Sequence, residues 1–171
     1  MSEKELLIKE KVDHTGLFNF AAIYKFAHAW LIEEDHGVIE EEYSEKVEGN
    51  KRRLDIKWFA TRRLSDYFKS QLKIKFEVTD MTDVEVELEG KKKKMNKGKI
   101  KIEIKGTIIT DHESKWETSP FARFMRDTYN KYVIPSRIED IKDYVKDTTR
   151  DFKDELKAYL EMSGSREQMY R

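Results

Sequence analysis

The chain has 171 residues, which is enough for one domain with a sizeable core. Lysine plus arginine and aspartate plus glutamate both number 34, so the formal net charge is zero, and this balance argues mildly against a dedicated nucleic-acid binder, which is usually basic overall. The chain has no cysteine, which excludes disulfides, thiolate metal sites and cysteine nucleophiles and fits a cytoplasmic location.

The first predicted elements are a short strand over residues 4–12 and a helix over residues 17–37. Apolar side chains recur in the helical segment at steps of three and four, which is the spacing of one helical face. Thr15 is the expected N-cap of this helix, and Gly37 is the residue expected just after its C-terminus. Because Lys25 is the one fully charged residue in its middle, we expect a wrapping sheet to cover the helix, or alternatively a ligand cavity or a partner. The apolar residues of this face are Leu17, Phe20, Tyr24, Ala27 and Leu31.

Residues 38–110 alternate between apolar and polar side chains. This is the pattern of antiparallel strands with one buried face and one wet face. Turn signals separate the alternating runs and predict a meander of about five or six strands. The expected turns lie at Gly49-Asn50, Asp80 to Asp83, Glu89-Gly90 and Asn96-Lys97-Gly98.

The C-terminal part of the chain predicts two further helices. Ser119 and Pro120 have the form of an N-cap followed by proline at the first helical position, and the first helix would continue to Pro135. Proline ends or kinks a helix, so Ser136 is expected to cap the second one. Apolar residues of the second helix recur at near-heptad steps. They are Ile138, Ile141, Val145, Phe152, Leu156 and Tyr159.

Two stretches, residues 51–63 and 90–106, concentrate basic side chains, and the first of them interleaves these with aromatic residues. Cations beside aromatic rings are what grooves for single-stranded nucleic acid use. We favour a solvated sheet face, on which the lysines of 99–105 would lie beside the glutamates of 85–89 on the preceding strand. Four consecutive lysines are harder to neutralise locally and are the candidates for contact with phosphates or an acidic surface. They are Lys91, Lys92, Lys93 and Lys94.

The segment 115–137 mixes aromatic and basic residues in a helical pattern. Such a helix can lie on an anionic membrane surface, or it can pack on the sheet with its arginines in water, which is the interpretation we favour. No window approaches the roughly 18 uninterrupted apolar residues of a membrane-spanning helix, so we predict no transmembrane segment.

Residue patterns with catalytic spacing are absent from the sequence. Among four scattered histidines, His28 lies on the predicted long helix, where a structural role is the commoner one. Asp111, His112 and Glu113 are metal-ligating types, but adjacent loop residues rarely face one ion. We therefore predict no catalytic residue, no metal and no cofactor, and favour a protein that is not an enzyme.

The order of strand, long helix, antiparallel meander and C-terminal helices resembles the helix-grip arrangement of START and Bet v 1-like proteins. The patterns predict one α+β domain over residues 1–162 with a frayed tail over residues 163–171. The resemblance implies that the meander grips the long helix. The chain departs from the pattern in having two C-terminal helices split at Pro135. The stretch KMNKGKIKIEIKG, with a following KWE, is also similar to short uncharacterised archaeal proteins.

Helix-grip proteins enclose an apolar cavity between helix and sheet, so the resemblance implies a non-enzymatic binding module for an apolar small molecule or a lipid. Small residues on otherwise bulky inward faces, Ala60, Ser70 and Gly106, could leave room for it. One alternative is a structural protein that forms homo-oligomers through its apolar helices. Another is nucleic-acid binding through residues 51–63 and 91–99. The expected cavity lining is Trp58, Phe68, Phe76, Trp30 and Tyr24.

Overall fold

A computed structural model describes residues 3–110, 120–121, 123–124 and 135–168, with side chains for all of these except Leu88, 135–136 and 164–168. Five strands and two helices are formed in these ranges. In chain order they are β1 (Glu3–Phe18), α1 (Phe20–Glu33), β2 (Gly37–Glu48), β3 (Lys51–Arg63), β4 (Phe68–Leu88), β5 (Lys91–Thr110) and α2 (Pro135–Gln168).

The strands form one open antiparallel sheet in the order β1-β5-β4-β3-β2. The predicted α+β class and an antiparallel sheet are confirmed. The meander after α1 has four strands and not the predicted five or six, because residues 68–88 form one long strand, and β1 is the fifth strand of the sheet. The chain crosses from one edge to the other between β1 and β2, and α1 makes that crossing. Both helices pack on the same face of the sheet, which we call the inner face, and their buried side chains form one core with it. No helix in the described ranges is long and apolar enough to cross a bilayer.

The ends of α1 differ from the prediction. Asn19, not Thr15, is the N-cap, and its side-chain oxygen accepts a hydrogen bond from the backbone N–H of Ala22 at 3.1 Å. At the other end the backbone N–H of His36 donates to the carbonyl of Leu31, and Asp35 takes the left-handed conformation with φ 60°. An aspartate tolerates this conformation, so it replaces the expected Gly37, which begins β2 instead.

Two of the predicted turns lie inside strands. β4 continues through Asp80 to Asp83, where its pairing with β5 shifts by one residue, and Asp80 has φ 54°. This is a β-bulge and not a turn. Gly98 of β5 faces the bulge, and a β-carbon there would lie 2.8 Å from the carbonyl oxygen of Thr79. Glycine at 98 therefore permits a close approach of two strands. The turns at Gly49-Asn50 and Glu89-Gly90 are confirmed.

One long helix, α2, follows the strands in the described ranges. Residues 120–121 and 123–124 are helical, and the rest of the first predicted C-terminal helix lies outside the described residues, as does most of the segment 115–137. Proline occupies the first position of α2, so Ser136 lies inside the helix and not at its cap. The helix continues through Gln168, which includes most of the segment that was expected to fray. Its buried residues are Val145, Thr148, Thr149, Phe152, Leu156 and Leu160.

Candidate functional site

Three of the five predicted cavity residues meet between α1 and the sheet. The rings of Tyr24 and Trp58 are 4.8 Å apart, and those of Trp58 and Phe76 are 4.9 Å apart. The Tyr24 hydroxyl donates to Glu40, and the indole N–H of Trp58 donates to the same carboxylate at 3.2 Å. Burial and the Glu40 carboxylate together raise the pKa of Tyr24 to about 12. These three predicted lining residues therefore pack on one another between α1 and the sheet.

The other two predicted lining residues lie elsewhere. Trp30 packs against Phe152 of α2, with ring centroids 5.0 Å apart. Phe68 belongs to a second apolar cluster, where it contacts the ring of Tyr67 at 4.9 Å. Gly106 leaves no room for a ligand either, because Thr149 of α2 occupies the space next to it. Phe68 therefore lies in a different apolar cluster from the other four predicted lining residues, which all pack in the main core.

A cleft of about 510 Å³ opens at the end of the sheet, between the β3–β4 connection and the first half of α2. Its volume lies within the range of small-molecule sites, roughly 300–1,000 Å³. We call it the α2 cleft. Its lining is Arg62, Leu64, Ser65, Phe68, Arg137, Asp140, Ile141 and Tyr144.

A tight connection positions the sheet side of the α2 cleft. The Ser65 hydroxyl accepts hydrogen bonds from the backbone N–H groups of Tyr67 and Phe68 at 3.1 and 3.0 Å. The backbone N–H of Leu64 donates to the carbonyl of Phe68 at 3.0 Å, which closes the loop. Serine is a residue that stabilises such turns through its side chain. The loop therefore holds Leu64 and Phe68 at the cleft.

Arg62 is the central polar residue of the α2 cleft. Its guanidinium donates to the hydroxyl of Tyr144, and its central carbon lies 5.3 Å from the centre of the same ring. It also forms an ion pair with Asp35 at 3.6 Å. Arg62 thus connects the end of α1, the end of β3 and the first half of α2. A side chain held by two partners is well suited to present a positive charge at a fixed position.

Two buried polar side chains next to Arg62 have no hydrogen-bond partner among the described residues. His36 is only 2% exposed, and neither of its ring nitrogens is paired. Burial lowers the pKa of His36, and the positive charge of Arg62 acts in the same direction. The hydroxyl of Ser70, which lies opposite Arg62 across the β3–β4 ladder, is also buried and unpaired. Most buried polar side chains in proteins have a hydrogen-bond partner, so His36 and Ser70 are exceptions.

The chemistry of the α2 cleft is amphipathic. Leu64, Phe68 and Ile141 supply apolar surface, and Arg62 and Arg137 supply guanidinium groups. Asp140 is the one carboxylate in the lining, so the lining carries one net positive charge. Guanidinium groups bind carboxylates and phosphates through paired hydrogen bonds. The arrangement therefore fits a molecule with an apolar body and a single anionic group.

The sequence prediction missed Arg62, Arg137 and Tyr144. A signal for Arg62 was present, because β3 alternates with Leu54, Ile56, Trp58 and Ala60 on its inner face and Arg62 is the next position on that face. A charged residue at a core-facing position of a strand calls for a partner or a function. The two residues of α2 carried no comparable signal, since both have the helical spacing of ordinary surface residues.

The consecutive lysines Lys91 to Lys94 lie in β5 and not beyond a loop. Glu89 and Gly90, with φ 53° and 76°, form the tight turn that precedes them. The register places Lys92 opposite Glu87 and Lys94 opposite Glu85. Two of the four lysines therefore have an acid at the opposite position, and the glutamates of 85–89 do not lie opposite the lysines of 99–105. Those lysines lie opposite residues 73–79 of β4.

The aromatic residues within the basic stretch 51–63 are divided between the two faces of the sheet. Trp58 is buried in the core, whereas Phe59 lies on the opposite face, which we call the outer face. Successive residues of a strand point to opposite sides of the sheet. The basic and aromatic side chains of this stretch therefore do not line a single groove. Of the two aromatic residues, Phe59 is the one that lies beside a basic residue, because the Lys73 amine is 5.7 Å from the centre of its ring.

Compared with protein-family models, curated protein sequences and solved structures, the chain shows no significant match. The resemblances to helix-grip proteins and to short archaeal proteins therefore stay predictions. Asp111, His112 and Glu113 lie outside the described residues. Within the described ranges, no three potential metal ligands come together.

Proposed function

We propose that the protein is a non-enzymatic binding module for a small amphipathic anion, which it holds in the α2 cleft. The observation that carries the proposal is the meeting of an apolar surface with Arg62 and Arg137 in a cleft of about 510 Å³. The class of function is the one that the resemblance to helix-grip proteins implies. The site differs, because it lies beside α2 and not under α1.

The charged groups of the α2 cleft favour a single carboxylate or phosphate over a polyanion. Arg62 and Arg137 supply its two cations, while Asp140 in the lining and Asp35, which pairs with Arg62, reduce the net charge. The two guanidinium groups therefore suit one anionic group and not a polyanion. A charge-assisted hydrogen bond is roughly twice as strong as a neutral one, so the anionic group would determine the orientation of the ligand.

The proposal can be tested with decanoate as the probe and decanol as its neutral counterpart, in isothermal titration calorimetry. Decanoate should bind more tightly than decanol. Arg137→Gln should weaken decanoate binding by about tenfold, the scale of one charge-assisted hydrogen bond, and leave decanol unchanged. Arg150→Gln is the matched control, because Arg150 is an exposed arginine of α2 that lies outside the cleft lining.

A second variant tests the apolar side of the α2 cleft. Ile141→Asp places a carboxylate where the ligand body should lie and should abolish binding of both probes. Circular dichroism and thermal unfolding would show that the variant folds. Equal loss in Arg137→Gln and Arg150→Gln would contradict the proposal, as would no binding of either probe to the unaltered chain.

Self-association is a second candidate function, and the exposed edge strand β2 favours it. Tyr43 and Val47 are 51% and 63% exposed, although both point toward the inner face of the sheet. An unpaired edge with apolar side chains is a template for pairing with another chain. The helices are less suitable, because the apolar residues of α2 pack in the core of the same chain.

Sedimentation velocity over a range of concentrations tests this candidate. The unaltered chain should form a dimer that Val47→Lys dissociates. Met162→Lys, at an exposed side chain of α2, should leave the dimer intact if pairing occurs through β2. A monomer at every concentration would exclude it.

A further inference from the structure

Basic residues lie opposite one another on the outer face of the sheet. Lys105 of β5 lies between Lys9 of β1 and Lys73 of β4. Next to this row, Lys57 of β3 lies opposite Lys75, and Arg63 lies opposite Lys69. Like charges directly opposite one another on adjacent strands are destabilising. Repulsion of this kind weakens a sheet unless acids or an anionic partner offset it. We call these seven residues the basic face. They are Lys9, Lys57, Arg63, Lys69, Lys73, Lys75 and Lys105.

Acidic residues neutralise the basic face only in part. The carboxylate of Glu103 is shared between Lys9 at 3.5 Å and Lys105 at 3.6 Å. Burial alone would raise the pKa of Glu103, but the two lysines together hold it below its ordinary value. Lys57 pairs with Glu42 at 3.1 Å, and Arg63 pairs with Asp66.

The centre of the basic face keeps unneutralised charge. Lys69 and Lys73 of β4 form no ion pair and have no acid opposite them in the described part of the chain, and Lys75 forms no ion pair although it lies opposite Glu103, which contacts Lys9 and Lys105. They lie on the middle strand of the sheet, where lysines two residues apart are about 7 Å apart along the strand and neighbouring strands are about 5 Å apart. The zero net charge of the whole chain therefore conceals a strongly cationic surface.

The distribution of apolar side chains on the outer face distinguishes between anionic partners. Leu6 and Ile39 are exposed, but they lie on the opposite edge strands β1 and β2, separated by the basic face. Adsorption to a membrane needs a continuous apolar surface that enters the lipid, and these two residues do not form one. Phe59 is half-buried beneath Lys73. A phosphate backbone, which needs cations at regular spacing and little apolar surface, fits this face better.

We propose that the basic face binds the phosphate backbone of nucleic acid without preference for base sequence. The basic face lies on the opposite side of the sheet from the α2 cleft, so the two sites are independent. Phe59 is the only aromatic side chain of β3 and β4 on this face in the described ranges, so base stacking contributes less than in grooves lined with several rings.

The test measures fluorescence anisotropy of a labelled oligothymidylate of about 16 nucleotides, an oligoadenylate of the same length and a duplex of the same length. The variant Lys69→Gln/Lys73→Gln/Lys75→Gln removes three charges that form no ion pair in the described part of the chain. The matched control, Lys92→Gln/Lys93→Gln/Lys94→Gln, removes the same charge from the hairpin tip. The face variant should bind about tenfold more weakly or worse, and the control should stay close to the unaltered chain. The salt slope for single strands should fall by roughly 2 in the face variant, at about 0.7 per phosphate contact.

Several outcomes would overturn the proposal. They are no binding of any oligonucleotide at about 50 mM salt, an equal loss in the face variant and the control, and a strong preference for one base sequence. Vesicles that contain phosphatidylserine form a further arm, and binding to these vesicles without binding to oligonucleotides would assign the face to membranes instead. The face variant should still bind decanoate. Loss of oligonucleotide binding therefore tests the basic face alone, and loss of decanoate binding tests the α2 cleft alone.

Discussion

Gly106 of β5 packs directly beneath Thr149 of α2, and the threonine hydroxyl occupies the place that a β-carbon on residue 106 would need. That hydroxyl donates to the carbonyl of Val145 at 2.8 Å, which holds it in position. The added carbon would also lie 2.9 Å from a methyl group of Ile8. Gly106→Ala should therefore lower the free energy of unfolding by about 1–3 kcal/mol, the usual cost of overpacking a core, as measured by urea denaturation.

A control for this prediction is Gly37→Ala, because a β-carbon on Gly37 would meet only the carbonyl oxygen of Thr61 at 3.9 Å. That variant should lose far less stability than Gly106→Ala. The double variant Gly106→Ala/Thr149→Ala should recover part of the loss, since the closest overlap is removed. Additive losses in the double variant would show that Thr149 is not the obstacle.

Stability should depend on pH through His36. Burial lowers its folded pKa below the ordinary value of 6.5, so the unfolded chain binds a proton at a higher pH than the folded chain does. Above about pH 6.5 the ring is neutral in both the folded and the unfolded chain, and its contribution to the free energy of unfolding is at its maximum. This contribution is lost as the pH falls below about 6.5 toward the folded pKa. The slope from this one group is at most about 1.4 kcal/mol per pH unit. Urea denaturation at several pH values between about 6.5 and 5 measures it.

His36→Gln should remove this part of the slope, whatever it does to the absolute stability. His28→Gln is the matched control, because His28 lies on the exposed side of α1. If His36→Gln kept the slope of the unaltered chain between these pH values, the buried ring would not be its source.

Lys69→Glu should stabilise the protein while weakening nucleic-acid binding. The substitution replaces a pair of like charges, Lys69 and Arg63, by a pair of opposite charges across the same ladder. The free energy of unfolding should rise by about 0.2–1 kcal/mol. Lys99→Glu is the control, because Lys99 lies opposite Thr79 and Thr15 and the change relieves no repulsion there. A loss of stability in Lys69→Glu would argue against the register that pairs it with Arg63.

The hairpin tip tests the pairing of β4 with β5. Glu87→Lys should destabilise the tip by about 0.2–1 kcal/mol, because it places two lysines opposite each other at positions 87 and 92. Glu87→Lys/Lys92→Glu should restore it. Glu87→Lys/Lys93→Glu should restore less, because Lys93 lies opposite Val86. Amide hydrogen exchange of residues 84–95 measures the local stability, and equal rescue by both double variants would contradict this register.

The strands were predictable because the signal for a half-buried strand is local. Alternation along β3 and β5 reports which side chains face the core, whatever their partners are. The turns at Gly49-Asn50 and Glu89-Gly90 were predictable for the same reason, since a tight turn depends on a few residues with special backbone conformations. The turns expected at Asp80 to Asp83 and at Asn96 to Gly98 fail because a bulge and a close strand approach use the same residue types as turns do.

The α2 cleft was not predictable in this way, because its residues are distant in the chain. Arg62 and Tyr144 are 82 residues apart, and only the packing of α2 on the end of the sheet brings them together. The basic face depends likewise on register, since a shift of one residue would place Lys73 opposite a neighbour other than Lys105.

By itself, the sequence determined the class, the strands and the apolar inner face of this protein, because periodicity within one segment decides which side chains can be buried. Tertiary structure alone decided which charges meet. It placed Lys92 and Lys94 opposite glutamates of β4 and left Lys69 and Lys73 with neither an acid opposite nor an ion-paired carboxylate in the described ranges. The physical reason is that Coulomb interactions depend on distance in space, and the strand register that sets those distances is a property of the whole sheet.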